Sequence, residues 1–163
     1  MNGMKYFFVF LILLLSQNGR TAPLTYDLGV SSGTYGGYSY TEMHLGLNWY
    51  FWDYFNWRNS AFSRYGSQID KASGLDTSLR FEIQDKDDWF GYHFFVGPGY
   101  RFSSASNSAI FGEAGTTIKL GSLNVGVGVK YLSYQNPGTS SSGEAMPKND
   151  TNVFLIIAGG GAL

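Results

Sequence analysis

The sequence contains no cysteine among its 163 residues. Small exported domains often depend on disulfides, so a fold of this length needs another source of stability. Charged residues make up only 14% of the chain, with 12 acidic against 11 basic side chains. This balance excludes the basic patch typical of nucleic-acid-binding domains. The strongest apolar run, residues 6–15, is ten residues long, whereas a membrane-spanning helix needs about 20.

The first 22 residues have the order of regions of a secretory signal peptide. Lys5 precedes the apolar run 6–15, and a polar segment of small residues then ends at Ala22. We therefore predict a signal peptide at residues 1–22 and one mature domain at residues 23–163. Removal of the signal takes away two basic residues and no acid, which leaves nine basic and twelve acidic residues.

Residues 40–51 show the pattern that recurs along the mature chain. Leu45 and Leu47 occupy odd positions there, and Glu42 and His44 occupy even ones. Successive side chains of a strand point to opposite faces. The segment is therefore predicted to be a strand with one apolar and one polar face.

The same alternation predicts eight strands in an all-β chain. They are residues 24–35, 40–51, 55–65, 75–84, 89–102, 109–120, 123–134 and 152–163. Short connections near residues 52–54, 85–88 and 121–122 alternate with longer polar loops at 66–74, 103–108 and 135–151. This alternation is typical of an antiparallel up-and-down transmembrane β-barrel with short periplasmic turns and longer external loops. The short first hairpin, near residues 36–39, is the exception, and Pro98 predicts a bulge or irregular pairing.

Alternation alone is also compatible with a soluble, lipocalin-like barrel that binds a ligand inside an apolar lumen. Aromatic residues favour the membrane, because they concentrate near both strand ends and resemble interfacial girdles. Near the short turns they are Trp49, Phe51, Trp52, Phe55, Trp57, Trp89, Phe90 and Tyr92, and near the loops Tyr38, Tyr40, Tyr65, Tyr100, Phe102, Tyr131 and Tyr134. The apolar face should then contact lipid, through Met43, Leu45, Leu47, Leu79, Phe81, Phe94, Val125 and Val127.

The polar face carries charges of both signs, which predicts a lumen plugged by ion pairs. Its residues are Asp27, Glu42, His44, Arg58, Arg64, Asp76, Arg80, Glu82, His93, Arg101, Glu113, Lys119 and Lys130. An eight-stranded barrel has room inside for side chains but not for an open channel. Groups removed from water must pair with one another, and Glu82 or Glu42 is the predicted partner of Arg80. The last strand is apolar on both faces, so its facing stays open.

The signal, the eight alternating strands, the aromatic strand ends and the charged face resemble small outer-membrane barrels of the OmpA/OmpX type. The resemblance implies an integral protein of the bacterial outer membrane, monomeric, without cofactor, metal or nucleic acid. Its partners would be outer-membrane lipid, lipopolysaccharide and the assembly machinery, and its role would be structural or surface interaction. One departure is the ending Gly161-Ala162-Leu163, where such barrels usually carry a terminal aromatic.

Residues 132–138, Leu-Ser-Tyr-Gln-Asn-Pro-Gly, resemble the segment Ile-His-Tyr-Ser-Asn-x-Gly of lipid A deacylases, which share the eight-stranded fold. That family implies a histidine base, a serine nucleophile and a later acid. Ser133 and Gln135 occupy the first two positions, and Asp150 lies near the third. Because a glutamine cannot act as nucleophile or base, we predict a non-catalytic barrel, with a lipid A deacylase-like hydrolase as the alternative.

Three further segments offer weaker chemistry. The two histidines, His44 and His93, fall on the polar face near opposite rims, which predicts lumen neighbours rather than a shared site. Metal-ligand spacing is absent, and the acidic residues 85–88 contain a lysine, as in a solvated turn. The loop 135–151 is rich in Gly, Ser and Pro, which predicts a flexible loop rather than a preformed pocket.

Overall fold

The computed structural model describes residues 24–52, 54–84, 90–104, 107–120, 123–140 and 143–159. The strands are β1 Leu24–Tyr35, β2 Tyr38–Trp52, β3 Phe55–Gly66, β4 Ala72–Gln84, β5 Phe90–Ser103, β6 Ala109–Leu120, β7 Leu123–Tyr134 and β8 Asn149–Gly159. Each pairs antiparallel with the next, and β8 pairs with β1 to close the barrel. The predicted all-β, eight-stranded antiparallel barrel is confirmed. The predicted signal 1–22, the acidic turn 85–88, the turn 121–122 and the chain end 161–163 lie outside the described residues.

Strand boundaries differ most from the prediction at β8 and β4. β8 begins at Asn149 rather than at residue 152, and β4 begins at Ala72 rather than at residue 75. The polar composition before residue 152 predicts a loop. Its Asp150 is nevertheless buried inside the barrel. Because the lumen is polar, a strand of this barrel can include polar residues whose composition would otherwise predict a loop.

Pro98 interrupts pairing without shifting the register. Ser78 pairs with Gly99 and Phe81 with Val96, so the β4–β5 register is the same on both sides of the proline. The ladder lacks partners only between these two pairs, which fits the missing proline donor. The predicted irregular pairing at Pro98 is therefore confirmed, but it is not a bulge. Among the described residues, the register shift lies between Tyr50 and Trp52 on the β2–β3 ladder.

The barrel is apolar outside and polar inside. Its large exposed side chains include Leu28, Met43, Leu45, Val96, Ile110 and Leu155, each more than half exposed. Its buried polar groups include six acids, four arginines and a lysine. A soluble barrel with an apolar ligand cavity would need the opposite arrangement. No helix in the described ranges is long and apolar enough to cross a membrane.

Among the described residues, the closing seam between β1 and β8 has the shortest ladder, and residues 160–163 at its end lie outside that range. It has seven register pairs, from Asp27 with Ala158 to Gly33 with Asn152. The other ladders have between nine and twelve.

Aromatic rings inside the lumen lie over glycines of neighbouring strands. The ring of Phe154 covers Gly128, the ring of Phe111 covers Gly99 and the ring of Tyr40 covers Gly33. A narrow lumen has room for such large rings only where the residue opposite, on a neighbouring strand, has no side chain. The glycines on the inner face are therefore part of the packing.

We expect Gly128→Ala to destabilise the barrel by about 1–3 kcal/mol, the usual range for overpacking. A Cβ there would stand 2.6 Å from the carbonyl oxygen of Ala114 and would also collide with the Phe154 ring. Gly112→Ala is the matched control, because its Cβ would meet nothing within 4 Å. Its effect should stay within about 0.5 kcal/mol. Urea titrations of both variants in lipid vesicles measure the difference, and equal costs would contradict the packing role.

Candidate functional site

A cross-lumen ion cluster occupies the middle of the barrel, centred on Arg101. From β5 its Nη1 and Nη2 donate to the Glu42 carboxylate of β2 at 2.7 and 3.0 Å. Its Nε and Nη2 donate to the Asp76 carboxylate of β4 at 2.7 and 2.8 Å. Paired guanidinium–carboxylate bonds of this kind are strong and fix orientation. Arg101 is 1% exposed, so one side chain ties opposite walls of the barrel together.

The cluster continues through shared carboxylates. Arg64 Nε donates to Glu42 at 2.7 Å, and Lys130 Nζ donates to Asp76 at 2.8 Å. The same Lys130 Nζ lies 3.8 Å from Glu113. We name the connected residues Glu42, Arg64, Asp76, Arg80, Arg101, Glu113 and Lys130 the central network.

Arg80 joins the central network through Glu113 of β6, to which its Nε donates at 2.9 Å. Among the described residues, Arg80 forms an ion pair with Glu113 and none with Glu82 or Glu42, so the predicted partners are wrong. The guanidinium of Arg80 lies 4.1 Å from the ring centroid of Phe95 and is thereby directed across β5. Which charged groups pair inside the barrel therefore depends on how far each side chain extends across the lumen, and not on how close the residues are along a strand.

A second network lies toward the turn end, where the short connections and both described chain ends meet. Arg58 of β3 donates to Asp27 of β1 at 2.9 and 2.6 Å, and Asn48 also donates to Asp27 at 2.7 Å. Asn56 then bridges Asn48, at 3.1 Å, and Glu82, at 2.8 Å. We name these five residues and His93, which pairs with Glu82, the turn-end network.

The loop end of the lumen is closed by tyrosines around Arg64. Its guanidinium lies 4.3 Å from the ring centroid of Tyr40, and its Nη2 donates to the Tyr134 hydroxyl at 2.7 Å. Tyr40 and Tyr134 both donate to Asp150 of β8. The girdle assignment of these two tyrosines is wrong, because they are 3% and 0% exposed. Proximity to a strand end suggests the girdle, whereas the alternation of faces directs both rings inward.

A hairpin in the β7–β8 connection covers this mouth. Thr139 bridges Ala145, and Ser140 N donates to the Glu144 carbonyl at 2.8 Å. Met146 is 7% exposed and packs in one cluster with Tyr35, Tyr40 and Ile69, among others. The composition of this loop predicts a flexible, solvated segment. Its described part, 135–140 and 143–148, instead forms hydrogen bonds and contributes a side chain to the plug.

The structure places the predicted residues as follows. Of the thirteen predicted lumen residues, eleven are buried, and His93 and Lys119 are partly exposed. The eight predicted lipid-facing residues are 39–59% exposed on the outer surface. The predicted lumen set omits several inward residues, namely Ser31, Tyr40, Asn48, Asn56, Tyr134, Asp150 and Asn152. Parity identifies those on β1, β2, β3 and β7, whereas on β8 the facing is open.

The two histidines contact different networks. His44 Nε2 is 3.2 Å from both Ser31 Oγ and Glu42 Oε2. His93 Nε2 is 2.9 Å from Glu82 Oε2, and its Nδ1 lies 3.3 Å from Thr117 Oγ1. In the part of the chain that the structure describes, no three His, Cys, Asp or Glu residues are arranged to hold a metal.

The lipid A deacylase-like positions do not converge. Ser133 is half-buried and shares the outward face of β7 with exposed Tyr131. Gln135 accepts a hydrogen bond from the Tyr100 hydroxyl at 3.2 Å. Asp150 points into the lumen, as does His44. The described residues therefore supply no histidine base beside Ser133.

Comparison with known proteins gives a likeness of fold. No family model matches the chain, and no curated protein matches it. Among solved structures, the outer membrane enzyme PagL superposes with a TM-score of 0.51 at 16% identity, covering 80% of this chain and 97% of that one. The likeness agrees with the predicted resemblance to small outer-membrane barrels, and at this identity it concerns the fold alone.

Proposed function

We propose that the chain is an integral barrel of the bacterial outer membrane with a closed lumen, which serves a structural or surface-interaction role without catalysis. One observation carries the proposal, namely the inverted distribution of polarity. Charged side chains are buried inside, while leucine, valine, isoleucine and aromatic side chains cover the outside. Only a lipid environment favours so apolar an outer surface on a closed sheet.

The outer surface also has features suited to membrane interfaces. Near the turn end Trp49 and Trp57 stack with ring centroids 6.1 Å apart, and Trp57 Nε1 donates to Thr77 Oγ1 at 2.9 Å. Amphipathic rings of this kind are enriched at the headgroup level. We infer that the barrel is a monomer surrounded by outer-membrane lipid and lipopolysaccharide. The outer-membrane assembly machinery would insert it.

The closed lumen rests on the two networks and the hairpin. Arg101 spans the barrel centre, and the tyrosines around Arg64 fill the loop end beneath Met146. A void beside His44 and Arg58 is no larger than a water molecule. Ions would have to displace paired charges in order to pass, which gives the barrel no conducting path. The hairpin in the β7–β8 connection is one external segment through which the barrel could contact partners.

Fractionation and conductance measurements test the proposal together. We expect the protein to fractionate with outer membranes and to migrate anomalously on gels unless it is boiled. Reconstituted into planar bilayers, it should show no steady ion conductance. Recovery in the soluble periplasmic fraction would refute the membrane location, and a stable open pore would refute the closed lumen.

Catalysis is tested separately, with purified barrel and lipid A. We expect the lipid A to keep all its acyl chains. Release of an acyl chain that depends on Ser133, shown with Ser133→Ala, would replace the non-catalytic role by a hydrolase.

A further inference from the structure

Aromatic residues are concentrated at the turn end of one wall of the barrel. Seven of the nine residues 49–57, at the end of β2 and the start of β3, are Phe, Trp or Tyr. The stretch 112–130, which covers most of β6 and β7, contains none, and neither does the stretch 155–163 in β8 and after it. Strands β6–β8 lie across the barrel from β2–β4. The two opposite walls therefore differ in aromatic content at this end.

The outward rings of the aromatic wall contact one another. Neighbouring ring centroids are 5.7–6.2 Å apart, in stacked and edge-on pairs. Trp57 is further fixed by its hydrogen bond to Thr77, and Tyr54 is 57% exposed at the turn. The rings thus form one ordered outer surface. We name it the aromatic platform, which comprises Trp49, Phe51, Tyr54, Phe55, Trp57 and Phe81.

The aromatic platform combines apolar ring area with polar ring edges. Indole carries an N–H group and tyrosine a hydroxyl, and such rings are favoured where hydrocarbon meets the headgroup layer. The ester and phosphate oxygens of a glycerophospholipid accept hydrogen bonds at this level. No residue of the platform is charged, so it suits a level of the lipid leaflet rather than a particular headgroup charge. The partner that fits is the phospholipid of the periplasmic leaflet.

The opposite wall is aliphatic at the same end. Leu120 and Leu123 end β6 and begin β7, and they are 55% and 43% exposed. Ile157 of β8 is 52% exposed. Lys119 is adjacent to Leu120 but belongs by alternation to the inner face, like the buried Thr117. Aliphatic side chains have no polar edge and are favoured in hydrocarbon, so acyl chains should reach the β6–β7 turn on this wall.

We propose that the aromatic platform binds phospholipid of the periplasmic leaflet at the level of the ester groups and anchors the barrel on one wall only. The opposite wall lies in acyl chains as far as its turn, so the barrel leans and the β6–β7 turn is closer to the bilayer centre than the β2–β3 turn. Interfacial aromatic anchors set the tilt of a spanning element. The inference rests on the proposed membrane location and goes beyond it, because that location alone leaves the tilt undetermined.

Spin labels at the two turns test the lean, and a chain without cysteine accepts a single label at a chosen position. Tyr54→Cys and Leu123→Cys are labelled in the mature chain, folded into phosphatidylcholine vesicles. Oxygen concentrates in hydrocarbon, whereas a nickel chelate stays in water. We expect the ratio of oxygen to nickel accessibility to be at least about threefold higher at position 123 than at position 54. Equal ratios at intermediate depth would overturn the one-sided anchor, whereas full nickel access at both positions would refute the membrane location itself.

Removal of the tryptophan pair tests whether the platform causes the lean. Trp49→Leu combined with Trp57→Leu should reduce the difference between the two labels by at least about half. Tyr131→Leu is the matched control, because it removes an outward ring at the loop end of β7, where the side chain is 52% exposed. It should leave the difference unchanged. A difference that survives loss of both tryptophans, or that Tyr131→Leu abolishes, would overturn the platform as the anchor.

Fluorescence quenching tests the level of the platform without altering it. Trp52→Phe combined with Trp89→Phe retains Trp49 and Trp57 as the emitting residues. Phosphatidylcholine brominated near the esters should quench them at least about twice as strongly as lipid brominated near the chain ends. Stronger quenching from the chain ends would place the rings in the hydrocarbon centre and overturn the proposal. If the leucine variant fails to fold, the labels and the quenching decide without it.

Discussion

Leu79→Arg should lower the free energy of unfolding in a bilayer by about 2–4 kcal/mol, the cost of a basic side chain at the bilayer midplane of an outer-membrane barrel. Leu79 is 45% exposed near the middle of β4, on the outward face. An arginine there would have to lie in hydrocarbon or bend toward an interface. Leu47→Arg on β2, where Leu47 is 48% exposed, should behave similarly.

Depth provides the control for this experiment. Leu120 is 55% exposed at the end of β6, next to the short turn. Leu120→Arg should therefore cost only about 0–1 kcal/mol, because its charge can reach the headgroups. Urea titrations of the three variants in vesicles of one lipid give the comparison. Equal stabilities at the two depths would mean that the outer face does not contact hydrocarbon.

Arg101→Met should cost about 3–5 kcal/mol, the range for breaking a buried ion pair by removing one partner. The substitution keeps most of the side-chain volume, so the loss reports charge and hydrogen bonds. Four hydrogen bonds to Glu42 and Asp76 disappear together. The two carboxylates then share fewer cations in the interior of the barrel.

Arg80→Met is the matched comparison and should cost less. Its partner Glu113 keeps a hydrogen bond from Ser78 at 2.6 Å and Lys130 at 3.8 Å. Adding Asp76→Asn to Arg101→Met should recover part of the loss, since one unpaired charge is removed. The same urea titration measures all three, and an Arg101→Met barrel as stable as the parent would show that the central network contributes nothing to stability.

The architecture follows from the alternation of residue types because strand geometry is local. A period of two assigns faces without any knowledge of neighbours. For that reason the alternation alone places Glu42, Arg64 and Arg101 on one face of the sheet, and the aromatic strand ends are the signal that predicts this face to be the inner one. On β8 the period is lost, and the facing cannot be derived from the sequence. There Phe154 and Ile156 point inward although they are as apolar as Leu155 on the outer face.

Pairing inside the lumen cannot be derived in the same way. Glu42 and Arg101 are 59 positions apart and meet only because the sheet closes. Long side chains reach past the adjacent strand, so strand order does not determine which acid meets which base. The same limit explains Arg80, whose partner Glu113 lies two strands away. A ring over a glycine, such as Phe154 over Gly128, likewise joins residues that the sequence separates.

Residues 132–138 resemble a segment of an enzyme family in sequence, but the described side chains around them do not form the catalytic arrangement that this resemblance implies. The short segment aligns Ser133 and Gln135 with catalytic positions of an enzyme family. In the structure Ser133 has neither an acid nor a histidine of the described residues beside it. Asp150 points into the lumen, and the two histidines contact Glu42 and Glu82.

The closing seam between β1 and β8 is crossed by hydrogen bonds that join β2 to β8. Asp150 and Asn152 of β8 both hydrogen-bond the Tyr40 hydroxyl of β2, over the top of the intervening β1. These contacts require the last strand in place, so a sheet of seven strands would leave Tyr40 and its neighbour Arg64 without their β8 partner. Pairing of β8 with β1 is therefore needed to complete the polar interior around Tyr40 and Arg64. In a chain without cysteine, these noncovalent contacts hold β2 against β8 without a covalent crosslink.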